Sequence, residues 1–166
     1  MSSEPNLTHR ITKAMPKKEL ENHIANFLIS QNMCVLATCS GDLPRATPIE
    51  YHSKGLTLYF IAEPGQKMKN IEANPRVSVG VFAPYTGWLS AKGIQITGEA
   101  KLIARKNKRE FEKGLSVYNW QRTAAELGIK ELPDTVRLLR VETKKAELVD
   151  LSLNEKGYAA RQILNL

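Results

Sequence analysis

Gly65-Gln66-Lys67 is the place in this 166-residue chain where residue types and spacing best suit chemistry. A glycine turn at a helix start leaves backbone N–H groups unpaired and points the positive end of the helix dipole outward. Lys67 adds a full charge, so the segment can seat an anion such as a phosphate group. It is not a P-loop: one glycine precedes the lysine, Met68 follows in place of Ser or Thr, and no second glycine stands upstream at the required spacing. Taken alone, the same residues also suit a capped surface helix with a solvated lysine. Arg45 begins a strand-like run in which Thr47, Ile49 and Tyr51 share its face. That mixed polar and apolar set fits a ligand-facing surface as well as an ordinary edge strand.

Other chemistries find less support. Cys34 and Cys39 stand at odd spacing in or beside a strand, so their side chains point to opposite faces, which argues against a local disulfide. His9, His23 and His52 are scattered, no metal-ligand spacing is present, and no structural metal is expected. The 24 basic and 17 acidic residues give a net charge of +7, which attracts anionic ligands without naming them. Lys101 to Lys113 carries part of that excess and reads as a solvated face. With 7% aromatics there is no stacking platform, and no specific nucleic-acid partner is expected. No apolar run approaches the roughly 18 residues needed to span a bilayer, and Met1 to Asn6 lacks a basic lead followed by an apolar stretch. A cytoplasmic protein with no membrane partner is expected.

These residues must be positioned by short elements of one compact domain covering 1–166. Pro16 suits a first helical turn, and Leu20, Ile24, Phe27 and Leu28 repeat at helical spacing to about Gln31. Met33 to Thr38, Arg45 to Tyr51 and Leu56 to Ala62 read as strands of an antiparallel meander, separated by Ser40-Gly41-Asp42 and Ser53-Lys54-Gly55. Gln66 to Ala73 fits a short helix that Asn74-Pro75 ends. Arg76 to Phe82 alternates strictly through Val77, Val79 and Val81, and a long strand follows from about Leu89 to Ala104. Phe111, Leu115 and Tyr118 mark a second main helix, and Thr135 to Asp150 returns to strand. The pattern predicts a mainly β fold with flanking helices, a six-stranded antiparallel split β-barrel whose closure removes exposed edges.

The ordered set Val35-Leu36-Ala37-Thr38, Gly41, Pro44-Arg45-Ala46-Thr47-Pro48, Leu58-Tyr59-Phe60, Lys67, Asn70, Asn74-Pro75-Arg76-Val77 and Gly93 to Ala100 resembles the pyridoxamine 5'-phosphate oxidase-like family of FMN-binding split barrels. The resemblance covers about residues 20–105. It implies a homodimer with two FMN sites at the subunit interface. The strand Arg45, Ala46, Thr47, Pro48, Ile49 and Glu50 would hold the phosphate through Arg45 and run along the flavin. Phe60 and Ile61 correspond to the end of the next contacting strand, Gln66 and Lys67 to the phosphate-clasping pair. A glutamine reaching the flavin corresponds to Gln95 or, in the other register, to Gly93. Three departures stand out: Ile61 replaces a hydroxyl residue, Gln66 an arginine or serine, and Glu50 a lysine. The C-terminal Trp, Arg and His pattern of true pyridoxamine-phosphate oxidases has no counterpart in Gly157 to Leu166, so vitamin B6 oxidation is not expected.

The resemblance implies a flavin-dependent oxidoreductase that exchanges hydride or electrons with a small-molecule donor and acceptor, with no side chain assignable as catalytic acid or base. A flavin carrier, buffer or sensor uses the same pocket without a substrate cleft. A related barrel holding heme or a deazaflavin is a third reading, because fold and function can part.

Overall fold

The computed structural model describes residues 11–166; Met1–Asn6 and His9 of the sequence reading lie outside the described residues. Helix α1 (Lys17–Ser30) starts directly after Pro16, and its buried stripe is Leu20, Ile24, Phe27 and Leu28, the four residues that the helical spacing marks. Strands β1 (Met33–Ser40), β2 (Leu43–Glu50), β3 (His52–Lys54) and β4 (Thr57–Ala62) follow, then helix α2 (Gln66–Ala73). Next come β5 (Arg76–Phe82), β6 (Lys92–Ile103), helices α3 (Lys108–Tyr118) and α4 (Trp120–Leu127), β7 (Arg137–Asp150) and β8 (Arg161–Asn165).

All pairings are antiparallel, in the order β2-β1-β5-β6-β7-β4-β3. The two ends of that path, β2 and β3, are consecutive in sequence with only Tyr51 between them. One stretch of chain therefore joins both edges of the curled sheet, which makes it a barrel split at that point. Tyr51 is fully buried at this junction and donates from its hydroxyl to Leu28 O at 2.8 Å. The fold is the split barrel expected, with eight strands in place of six: β3 and β8 are the additions, and the second main helix is two helices broken at Asn119, which adopts φ 59°.

Inward residues of β1, β5, β6 and β7 (Leu36, Val79, Ile96, Leu148) and the stripe of α1 form the main core. A second apolar cluster lies under α3, built on Tyr59, Ile103, Phe111 and Leu138. Tyr59 and Phe60 are successive residues of β4 and so feed opposite faces, one cluster each. No helix among the described residues is long and apolar enough to cross a membrane.

Two features fix the sheet's shape. Pairing of β6 with β7 slips between Thr97 and Gly98, leaving Lys144 as the extra residue of a bulge. A Cβ on Gly98 would lie 2.7 Å from Val141 Cγ1 and 2.9 Å from Glu142 O, so the strands approach here only because the side chain is missing. Gly98→Ala is expected to lower stability by about 1–3 kcal/mol through overpacking against backbone. A urea midpoint equal to that of the wild type would show that the bulge relaxes freely. At the far end of β7, buried Asp150 accepts from His23 Nε2 at 2.9 Å, Lys92 Nζ at 2.8 Å, Ser152 N at 3.1 Å and Ser152 Oγ at 2.6 Å. One carboxylate thus ties α1, β6 and the short 3-10 turn Leu151–Lys156 together.

Candidate functional site

Strand β2 is an edge in which Pro44 and Pro48 remove two N–H donors, in keeping with proline's confinement to sheet edges. Its register with β1 pairs Arg45 with Thr38, Thr47 with Leu36 and Ile49 with Cys34. Arg45, Thr47 and Ile49 therefore share the inner side with Leu36, while Ala46, Pro48 and Glu50 point outward. Arg45 is exposed and, like Lys67, forms no ion pair among the described residues. The Thr47 hydroxyl is buried and has no hydrogen-bond partner.

Helix α2 brings its first turn to the same corner. Asn70 Nδ2 donates to Thr38 Oγ1 at 3.1 Å, and Gln66 Nε2 donates to Asn70 Oδ1 at 2.9 Å. Thr38 is the register partner of Arg45, so Arg45 and the start of α2 are linked through two intervening side chains. Gly65 is the N-cap and offers no side-chain cap, which leaves the N–H groups of Gln66 and Lys67 outside the helical ladder. Strand β2, with Arg45 and the orphan Thr47 hydroxyl, and the uncapped first turn of α2, with Lys67, are thus neighbouring elements, and together they carry a donor set suited to a phosphate.

Other expected residues are placed differently. Phe60 is fully buried in the main core, 6.3 Å from the Tyr51 ring, and Ile61 packs against the cluster under α3. The Phe60 side chain is spent on packing, and that of Ile61 stays partly exposed. Gln66 is tied through its amide to its own helix.

Glu50, which stands where the resemblance has a lysine, is held by partners from distant elements. Glu50 accepts from Arg122 Nη2 at 2.9 Å and from the Tyr118 hydroxyl at 3.3 Å, and His52 Nε2 lies 3.3 Å away. Burial and the adjacent carboxylate push the Tyr118 phenol above its ordinary range. Tyr118 of α3 and Arg122 of α4 lie about 70 residues downstream, and their i, i+4 spacing is the only local sign that they share a partner in Glu50. Cys34 is buried, and burial pushes its thiol up to about 12, which makes it inert.

Gln95 does not join the Arg45 corner. It lies on the outer face of β6, exposed, beside a groove of about 420 Å³ lined by Gly80, Phe82, Gly93, Arg161 and Ile163 among others. Gly93, two residues earlier, lines the same groove. Strands β1 and β5 separate β6 from β2, three inter-strand spacings or about 14 Å, and Arg45 faces the opposite side of the sheet.

Solved structures share this architecture at low identity. A FAD-binding protein of Mesorhizobium loti matches with TM-score 0.60 and 22% identity over 76% of this chain and 90% of its own. A heme-binding protein of Mycobacterium smegmatis matches with TM-score 0.66 and 17% identity over 92% and 59%. The heme storage protein HutZ of Vibrio cholerae matches with TM-score 0.61 and 16% identity over 75% and 89%. In sequence, an uncharacterised protein of Rhizobium meliloti is 32% identical over 88 residues, 52% of this chain, and the match spans about half (54%) of that relative's length. The family model described as pyridoxamine 5'-phosphate oxidase matches residues 20–150, the whole sheet up to the end of β7, and the chain belongs to that family.

Proposed function

We propose that the chain is an FMN-binding flavoprotein that acts as a cytoplasmic homodimer and passes electrons between a small-molecule donor and acceptor. The placement of β2, bearing Arg45 and the unpartnered Thr47 hydroxyl, beside the uncapped first turn of α2, bearing Lys67, carries the reading. Arg45 and Lys67 would hold the phosphate, Thr47 would find its missing partner on the ligand, and the backbone of β2 from Ala46 to Glu50 would run along the ring. Bound flavin supplies hydride transfer, and the protein supplies position and electrostatics. Heme is less well served, because both histidines of the described residues, His23 and His52, have Nε2 engaged by carboxylates.

The same geometry supports a dimer if, as the family resemblance implies, one flavin reaches both Arg45 and Gln95. Gln95 and Arg45 face opposite sides of one sheet, so a ligand touching both needs two copies of the chain. Sedimentation at micromolar concentration is expected to give about twice the 18.6 kDa chain mass. A monomer that binds FMN tightly would overturn the shared site.

The purified protein is expected to show flavin absorption bands, and NADH or NADPH is expected to reduce the bound flavin before an acceptor reoxidises it. A Soret band would replace this reading with the heme one. Flavin bands without reduction would leave a carrier or sensor. Pyridoxamine phosphate is not expected to turn over, since Glu50 puts a carboxylate on the expected substrate side and Gly157 to Leu166 lacks the Trp, Arg and His set that would clamp the substrate. Release of pyridoxal phosphate at about 1 per second or faster would contradict this.

A further inference from the structure

We infer that Asn70 is a positioning residue that sets the separation of the two phosphate-binding cations, an inference that rests on the flavin reading above. Its side chain is 2% exposed, and so is Thr38, to which it donates. The amide bonds in series: Nδ2 to Thr38 Oγ1 at 3.1 Å on β1, Oδ1 from Gln66 Nε2 at 2.9 Å in the first turn of α2. Thr38 pairs with Arg45, and Gln66 precedes Lys67. The bridge therefore joins the turn that carries Lys67 to the β1 residue paired with Arg45, from the buried side.

Helix α2 is already held to the sheet by Met68 and Ile71, but apolar contact is non-directional and tolerates sliding and rotation. A buried amide does not tolerate them, because a donor or acceptor pulled from its partner at low dielectric is left unsatisfied. The other end of α2 has its own pin: Asn74 Nδ2 donates to Cys39 O at 3.1 Å, and Arg76 N donates to Asn74 Oδ1 at 3.2 Å. Loss of Asn70 leaves that pin in place and frees the end bearing Lys67. The helix would then pivot about Asn74, and the damage would fall on the phosphate rather than on the ring.

The test titrates FMN and riboflavin into the full-length apoprotein by flavin fluorescence, with thermal melting in parallel. Asn70→Ala is expected to weaken FMN by about tenfold and to leave riboflavin unchanged. Thr38→Val, nearly isosteric and without the acceptor, is expected to reproduce that loss, and Thr38→Ser to restore wild-type affinity. The Thr38 pair decides the matter even if Asn70→Ala does not fold. Equal losses for both ligands, or unchanged FMN affinity in a wild type that prefers FMN, would overturn the positioning role and leave the phosphate seat standing. A wild type with no preference for FMN over riboflavin would overturn both.

Discussion

Arg45→Ala will weaken FMN binding by about 10- to 100-fold and leave riboflavin binding unchanged, because a hydrogen bond to a charged group is worth about 1.5–3 kcal/mol and each 1.4 kcal/mol is a factor of ten. The guanidinium is exposed on an edge strand and has no carboxylate partner among the described residues, so its removal costs the fold nothing measurable. An unchanged melting temperature in the apoprotein checks that point. Lys67→Ala should act in the same direction and less strongly, since a lysine meets phosphate as a point charge and an arginine as a planar two-pronged donor. Equal losses for FMN and riboflavin would move the arginine away from the phosphate and undo the orientation proposed for the flavin along β2.

Much of this corner was legible because the punctuation is local. Pro64-Gly65 opens α2, Asn74-Pro75 closes it, and the alternation of Val77, Val79 and Val81 fixes the inward face of β5. The order of Arg45, Lys67 and Asn70 carried the family resemblance without any geometry. What the sequence hid depends on pairing across long separations. That Thr38 lies opposite Arg45, and so under Asn70, is a matter of register between β1 and β2 and has no local signature. The pairing of Glu50 with Arg122 joins residues 72 apart, and α4 itself is masked because Asn119 turns the chain in a left-handed conformation between two helices that follow without a loop. Strand β3 has three residues and passes for a turn. Strand β8 pairs with only the second half of β7 and alternates over five residues, too few for periodicity to register. Phe60 looks like a neighbour of a ligand in sequence, yet the main core claims its side chain.

The second large effect belongs to stability and arises far from the corner. Asp150→Ala is expected to cost about 3–5 kcal/mol, as is usual when one partner of a buried ionic cluster is removed and the other is left uncompensated. For a chain of this size that corresponds to a fall of about 6–20 °C in melting temperature. Burial by itself would raise the Asp150 carboxyl, but hydrogen bonds from Lys92, Ser152 and His23 outweigh it and hold the group at about 2. An unfolded aspartate titrates at about 3.9, so the folded value is depressed and the ionised form is favoured by folding. Its contribution is complete above about pH 4 and drains away as pH falls toward 2, because the unfolded chain takes up a proton there that the folded carboxylate does not. Asp150→Asn keeps the size and an acceptor but cannot titrate. Chemical denaturation of wild type and Asp150→Asn from pH 6 to pH 2 should therefore give curves that converge through that window. Curves that stay parallel would show that the cluster is held by something other than the carboxylate charge.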